Sequence, residues 1–135
     1  MKRTLQVVLA LLSLLPLVVG TFGFIYGAAL FAPAAGVTPK LDSQYRFVAA
    51  WDVGLALIVW WIIPQIERQT ALFRLICMVV FVGGCGRVIA WLVVGSPGTV
   101  FLAVTGLELL IPLLIPWQAR VAKHASSESA AYDLQ

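Results

Sequence analysis

The sequence predicts an all-α membrane protein with four transmembrane helices in an antiparallel bundle. Of its 135 residues, 61% are hydrophobic and only 11% are charged, whereas soluble domains carry about 25% charged residues. The mean hydropathy is +0.99. Four apolar stretches are each long enough to cross a hydrocarbon core of about 30 Å, which takes roughly 20 helical residues. We therefore expect a single four-helix transmembrane domain over residues 1–124.

The first apolar stretch, residues 5–31, follows the basic residues Lys2 and Arg3. A secretory signal peptide has the same order of basic and apolar residues. Its apolar region spans about 7–15 residues, however, and the stretch in this chain is nearly twice as long. We therefore expect a retained transmembrane helix.

Segments rich in proline, glycine or polar residues separate the apolar stretches. Residues 32–42 contain two prolines and a glycine, which break helices, and the polar residues 65–70 form a second connection. The tetrapeptide Gly95-Ser96-Pro97-Gly98 is typical of a tight turn, so the last two helices are expected to form an antiparallel hairpin. Serine and alanine are frequent in residues 125–135, for which we expect a disordered cytoplasmic tail. The expected helices span residues 5–31, 43–63, 71–94 and 99–117.

Pairs of glycines predict where helices pack closely. Gly23 and Gly27 have the small-xxx-small spacing that lets two helices approach each other. Gly83 and Gly84, one turn before Arg87, lack side chains that would keep a partner helix away. We therefore expect all four glycines to lie at helix contacts.

The basic residues predict the orientation in the membrane. Lysine and arginine accumulate in cytoplasmic loops, and here six lie on one side, against Lys40 alone on the other. Trp60, Trp61 and Trp117 lie near the basic side, as interfacial aromatic residues do. We expect a multi-pass protein of the bacterial inner membrane, with both termini in the cytoplasm. The six basic residues are Lys2, Arg3, Arg68, Arg74, Arg120 and Lys123.

Besides Arg74, already counted on the basic side, four charged residues fall inside the predicted spans, namely Arg46, Asp52, Arg87 and Glu108. An unpaired charge at the bilayer centre costs about 2.5–3.5 kcal/mol on insertion scales. At a rise of about 1.5 Å per residue, Asp52 and Glu108 lie ~15 Å below the periplasmic boundary, and Arg87 lies ~12 Å below it. The four charges sum to zero, as a closed polar network in a low dielectric requires. The sequence thus predicts a buried charged cluster between helices two, three and four, in which Arg87 bridges Asp52 and Glu108.

The place of Arg46 in this cluster is open. It lies only about 6 Å deep, with Asp42 one turn before it on the same face. Its side chain either extends outward to the membrane surface or points toward the cluster. Asp52 therefore has two candidate partners, Arg87 and Arg46.

No group of residues predicts catalysis or a metal site. His124 is the sole histidine and lies in the polar segment past helix four, without the further ligands that a metal ion takes. Gly83-Gly84-Cys85-Gly86 lacks the Gly-Lys-Ser/Thr ending of a phosphate loop. Cys77 and Cys85 lie about 12 Å apart on one helix, too far for a disulfide. We expect no enzyme activity, no cofactor and no metal.

Several motifs resemble those of a known family. Gln44-x-Arg46-Phe47 opens helix two, Phe81-Val-Gly-Gly-Cys-Gly-Arg87 lies in helix three, and Leu-Glu108-Leu-Leu-x-Pro112 follows a Gly-x-Pro-Gly turn. Over nearly the whole chain they are similar to a family of small bacterial four-helix membrane proteins catalogued as a domain of unknown function. The resemblance implies the fold and leaves the activity open. It rests on Arg46, Gly84, Arg87, Glu108 and Pro112.

Two functions fit these observations. Ionisable residues inside a membrane often line ligand or proton paths, so the charged residues are expected to bind or transport a lipid or small amphiphile. Alternatively, the cluster is structural, and the chain serves cell-envelope assembly by forming homo-oligomers through its glycine faces. Small multidrug exporters are a poor match, because their membrane carboxylate lies in the first helix, which carries no charge here. The basic residues form no stripe, which argues against nucleic-acid binding.

Overall fold

A computed structural model describes residues 1–31 and 36–132, with side chains through residue 127. Within these ranges every regular element is helical. Short 3-10 segments over Gly27–Leu30, Ile63–Gln65 and Ile111–Leu113 extend or join the α-helices. The α-helices are α1 (Lys2–Tyr26), α2 (Pro39–Ile62), α3 (Thr70–Val94), α4 (Thr99–Leu110) and α5 (Leu114–Tyr132).

These elements make four helical spans that are long and apolar enough to cross a membrane. Large apolar side chains on them face outward, and Val93 and Val94 are 78% and 85% exposed. Exposed apolar side chains of this kind suit a lipid environment. The prediction of an all-α chain with four such helices is confirmed. The spans are Lys2–Leu30, Pro39–Gln65, Thr70–Val94 and Thr99–Ser127.

Helix α2 begins at Pro39, four residues earlier than expected. Thr38 caps it, because the Thr38 hydroxyl oxygen accepts a hydrogen bond of 3.2 Å from the Leu41 amide. Proline suits the first position of a helix, where its missing N–H has no partner to lose. The loop expected over residues 32–42 therefore ends at Thr38, because residues 39–42 belong to α2. Residues 32–35 of this loop lie outside the described residues.

The last span is interrupted at Pro112 and then extends beyond the expected end near residue 117. Pro112 has no N–H to donate, and the chain tightens to a 3-10 turn there. Helix α5 then continues to Tyr132, so the segment expected as a disordered tail is helical through that residue. The hydroxyls of Ser126 and Ser127 donate to carbonyls one turn back, at 3.0 and 2.9 Å. Residues 133–135 lie outside the described residues.

The chain divides into two compact units. One unit, Arg3–Pro64, contains α1 and α2, whereas the other combines Met1–Lys2 with Gln65–Gln135 and contains α3, α4 and α5. In the first unit, a Cβ on Gly20 would lie 2.7 Å from the Ala49 carbonyl oxygen and 2.9 Å from the Asp52 Cβ. Glycine therefore lets the backbones of α1 and α2 approach each other directly.

Polar side chains add contacts in the same unit. Trp60 donates from its indole Nε1 to the Ser13 hydroxyl at 2.7 Å, and Gln6 donates to the Ile63 carbonyl at 2.8 Å. Ser13 is buried and also donates to the Ala10 carbonyl. Each of these polar groups is thus partnered within the unit.

We expect Gly20→Ala to weaken the packing of α1 on α2. The added methyl group meets the backbone of Ala49, and overpacking of this kind costs about 1–3 kcal/mol. The measurement is the thermal unfolding midpoint of the purified protein in detergent. Gly54→Ala on α2 is the matched control, because a Cβ there meets nothing within 4 Å. Equal midpoints for the two variants would contradict the close approach at Gly20.

Candidate functional site

Arg87 of α3 and Glu108 of α4 form an ion pair. The Arg87 Nε lies 3.1 Å from one carboxylate oxygen of Glu108 and 3.0 Å from the other. The helices approach closely here, since a Cβ on Gly84 would lie 3.0 Å from the Glu108 Cβ. The guanidinium carbon lies 5.9 Å from the centre of the Phe101 ring, within cation–π range.

This pair lies well inside its two spans. Arg87 precedes the end of α3 at Val94 by seven residues, or about 10 Å, and Glu108 follows the start of α4 by nine residues, or about 14 Å. The Arg87 side chain is 42% exposed, whereas that of Glu108 is 19% exposed. The pair is therefore at membrane depth and open on the arginine side.

The outer edge of the Arg87 guanidinium, formed by its two Nη atoms, makes no hydrogen bond with the side chains that the structure describes. A guanidinium group carries five N–H donors, one on Nε and four on the two Nη atoms. Nε donates to Glu108. The Nη atoms donate no hydrogen bond within residues 1–31 and 36–127, whose side chains the structure describes. Arg87 thus presents a planar pair of Nη groups that suits a bidentate anion such as phosphate or carboxylate.

Arg46 extends outward to the end of α1. Its Nε donates to Asp42 Oδ2 at 2.8 Å, and its Nη1 donates to the carbonyls of Phe24 and Ile25 at 2.6 and 2.9 Å. The other oxygen of Asp42 accepts from the Ala28 amide at 2.9 Å. These side chains of α2 partner backbone groups at a helix end, where intrahelical hydrogen bonds run out.

The predicted buried charged cluster of Arg46, Asp52, Arg87 and Glu108 is wrong. No buried charged cluster occurs in the part of the chain that the structure describes. Arg46 bonds the carboxylate one turn before it, that of Asp42, and the two side chains are 40% and 29% exposed. Arg87 and Glu108 balance each other's charge as a separate pair. Asp52 of α2 is half-buried and lies beside Gly20 of α1. Its pairing with Arg87 or Arg46 stays a prediction.

The four glycines expected at helix contacts differ in their surroundings. A Cβ on Gly23 would lie 2.9 Å from the Tyr45 ring, and Gly84 approaches Glu108 as described. Gly27 has a left-handed backbone with φ +67°, and a Cβ there would overlap Asp42 Oδ1. Its role is thus in the turn that ends α1. A Cβ on Gly83 would meet nothing within 4 Å.

A second set of polar contacts lies near the start of α3, and the sequence does not predict a site at its residues. Lys2 Nζ donates to Glu67 Oε1 at 2.8 Å. Gln118 is fully buried, and its amide nitrogen donates to the Ile66 carbonyl at 2.8 Å and to the Thr70 hydroxyl at 2.9 Å. The one feature of the sequence that could have indicated these contacts is Gln118, a polar residue directly after the apolar part of the last span.

The pKa of Glu67 reflects these contacts. Burial by itself raises the pKa, but the hydrogen bond from Lys2, a backbone hydrogen bond, and the positive charges of Lys2 and Arg68 outweigh it. The pKa of Glu67 therefore lies below its ordinary value of 4.5. The ionised form is thus favoured in the folded protein.

Comparison with family models gives a match over residues 4–118, to the family described as "Domain of unknown function (DUF4345)". The chain belongs to this family. The resemblance of its motifs to a family of unknown function is confirmed, and the matched range includes Arg46, Arg87 and Glu108. Lys2 and His124 lie outside that range. Comparisons with curated proteins and with solved structures found no match.

We expect the double variant Arg87→Glu/Glu108→Arg to recover much of the stability that Arg87→Glu loses. The single change places a second carboxylate beside Glu108, whereas the exchange restores opposite charges at the same contact. Pairs in direct contact couple by about 0.5–3 kcal/mol, which a double-mutant cycle of unfolding in detergent measures. Arg74→Glu combined with Glu108→Arg is the control, because Arg74 is an exposed arginine on the same helix. Absence of recovery in the exchanged pair would contradict direct pairing.

We expect the stabilising effect of Glu67 to depend on pH. Its pKa is lowered in the folded protein, so its contribution is complete above pH 4.5 and is lost as the pH falls through the lowered pKa. Glu67→Gln should therefore destabilise the protein above pH 4.5, by about 0.2–1 kcal/mol for a partly exposed pair. The difference from the unmodified chain should shrink at lower pH. Unfolding midpoints measured across this range test it, and a constant difference would contradict the lowered pKa.

Proposed function

We propose that this chain binds a lipid or small amphiphile in the bacterial inner membrane, through the anionic headgroup of the ligand at Arg87. The outer edge of Arg87 is the observation that carries the proposal. Its Nη groups lie well inside the span, on a side chain that is 42% exposed, and donate no hydrogen bond to the side chains that the structure describes. A donor left unpaired in hydrocarbon costs free energy, because no water is present to bond it. An anionic headgroup supplies acceptors and charge together.

The surroundings of Arg87 favour a ligand with an apolar tail. Gly83 and Ala90 lie on the same face of α3 as Arg87, four residues before it and three after it. Both are exposed, and a Cβ on Gly83 would meet nothing within 4 Å. The small residues leave room beside the guanidinium. The exposed side chains of Ile89 and Leu92 offer apolar surface for an acyl chain.

The proposed topology has antiparallel neighbouring helices and both termini in the cytoplasm. The excess of basic residues on one side supports this orientation. The order of the contacts supports antiparallel neighbours, because residue numbers fall along one helix as they rise along the next. The contacts are Ser13–Trp60 and Gly23–Tyr45 in one unit, and Arg87–Glu108 and Thr70–Gln118 in the other.

The alternative function, envelope assembly through homo-oligomers, has less support. Gly23 was expected to provide the contact between copies. In the structure it packs against Tyr45 of its own chain. Gly27 is likewise occupied, by Asp42 and Arg46.

The test is retention of amphiphiles by the purified protein. The full chain is extracted from its membranes in a mild detergent, and bound molecules are identified by native mass spectrometry. We expect an anionic amphiphile in the unmodified protein and at least tenfold less of it in Arg87→Gln. Arg74→Gln on the same helix is the matched control and should retain the ligand. Equal retention in both variants, or no bound amphiphile in the unmodified chain, would contradict the proposal.

A further inference from the structure

A cleft of about 480 Å³ opens near the start of α3, in the same unit as Arg87. This volume is in the range of small-molecule sites, about 300–1,000 Å³. The residues that line it lie near the ends of the spans, since Lys2 begins the first span and Val121, His124 and Ala125 belong to the last two turns of the fourth. Arg87 lies about 25 Å along α3 from Thr70, so the cleft is a different site from the one proposed at Arg87. The lining residues are Met1, Lys2, Glu67, Val121, His124 and Ala125.

One part of the cleft offers hydrogen-bond donors. An ammonium group has three N–H donors, and Lys2 uses one for Glu67. Two remain for another acceptor. His124 is exposed on α5 and adds a ring N–H. Lys2 and His124 thus supply donors that suit a phosphate oxygen.

Another part of the cleft offers an acceptor. Glu67 Oε1 accepts from Lys2, whereas Glu67 Oε2 is buried and has no hydrogen-bond donor among the described residues. Glu67 lines the cleft, and because the terminal torsion of a glutamate side chain is broad, its carboxylate can rotate to meet a donor there. A buried acceptor without a donor costs about 1–3 kcal/mol, and more when it is charged. A donor that enters the cleft removes this cost.

We propose that the cleft binds the headgroup of a phospholipid that carries a primary amine. The phosphate lies between Lys2 and His124, and the ammonium group donates to Glu67. Both charges of the headgroup are matched, since the cleft contains both signs. A purely anionic headgroup supplies no positive charge to Glu67, and a quaternary ammonium has no N–H to give. This site is independent of the amphiphile site at Arg87.

The test compares three short-chain lipids that differ only in the headgroup. Dihexanoyl phosphatidylethanolamine, phosphatidylcholine and phosphatidylglycerol are titrated calorimetrically into the full chain in detergent micelles. We expect the ethanolamine lipid to bind at least tenfold more tightly than the other two. Glu67→Gln should reduce this preference to about twofold or less. Equal affinities for the three lipids in the unmodified protein would overturn the proposal.

Further variants separate the cleft from general attraction to a basic surface. His124→Ala should weaken binding of the ethanolamine lipid about tenfold, whereas Lys123→Ala should leave it unchanged. Lys123 is the neighbouring exposed residue and does not line the cleft. Both positions are exposed, so neither change is expected to unfold the protein, and matching unfolding midpoints verify this. An equal loss in both variants would overturn the site.

A final titration distinguishes the lipid from a free metabolite. Phosphoethanolamine has the same phosphate and amine without acyl chains. We expect it to bind at least tenfold more weakly than the lipid, because the chains of the lipid also contact the apolar spans. Equal binding would overturn a membrane lipid as the occupant.

Discussion

Hydrocarbon solvates an apolar side chain about as well as a neighbouring helix does, so apolar burial does little to pair helices in a membrane. The described helices are consistent with this constraint. Many of their large apolar side chains remain exposed, although a few such as Leu5, Ile62 and Phe73 are buried, and the closest contacts are made where a residue is small or polar. Gly20 and Gly84 bring backbones together, while Trp60 and Gln118 donate hydrogen bonds to neighbouring segments. Each unit therefore combines a few buried apolar side chains with specific contacts of glycines and polar groups.

The same constraint decides where the charges go. A charge in a span gains most from the nearest opposite charge, because separation in a low dielectric is costly. Arg46 bonds Asp42 on the preceding turn, and Arg87 bonds Glu108 on the next helix. Each of these two ion pairs has a net charge of zero by itself. Local pairing leaves a guanidinium edge exposed at Arg87, and this edge gives the protein a chemical feature that the apolar surface around it lacks.

The number and type of the helices follow from the lengths of the apolar stretches, and the Arg87–Glu108 contact follows from their matching depths. Depth alone does not reveal which charges at one level are buried together, and for this reason the buried cluster of Asp52, Arg87 and Glu108 was mispredicted. The fall in hydropathy predicts that the chain leaves the membrane near Trp117. It does not mark where the helix ends, which depends on local hydrogen bonds such as that of Ser126. Lys2 and Glu67 are 65 residues apart, and no sequence pattern joins them.

The hydrogen bonds of Arg46 and Asp42 have a practical consequence. They tie the end of α1 to side chains of α2, so this contact is made by residues outside the connection between Phe31 and Thr38. Loop-closure entropy changes slowly with length, by about 0.6 kcal/mol for each doubling. An epitope or a fluorescent label inserted in the connection between Phe31 and Thr38 should therefore leave both helices intact. This connection is a suitable place to attach a reporter for the side of the membrane that it faces.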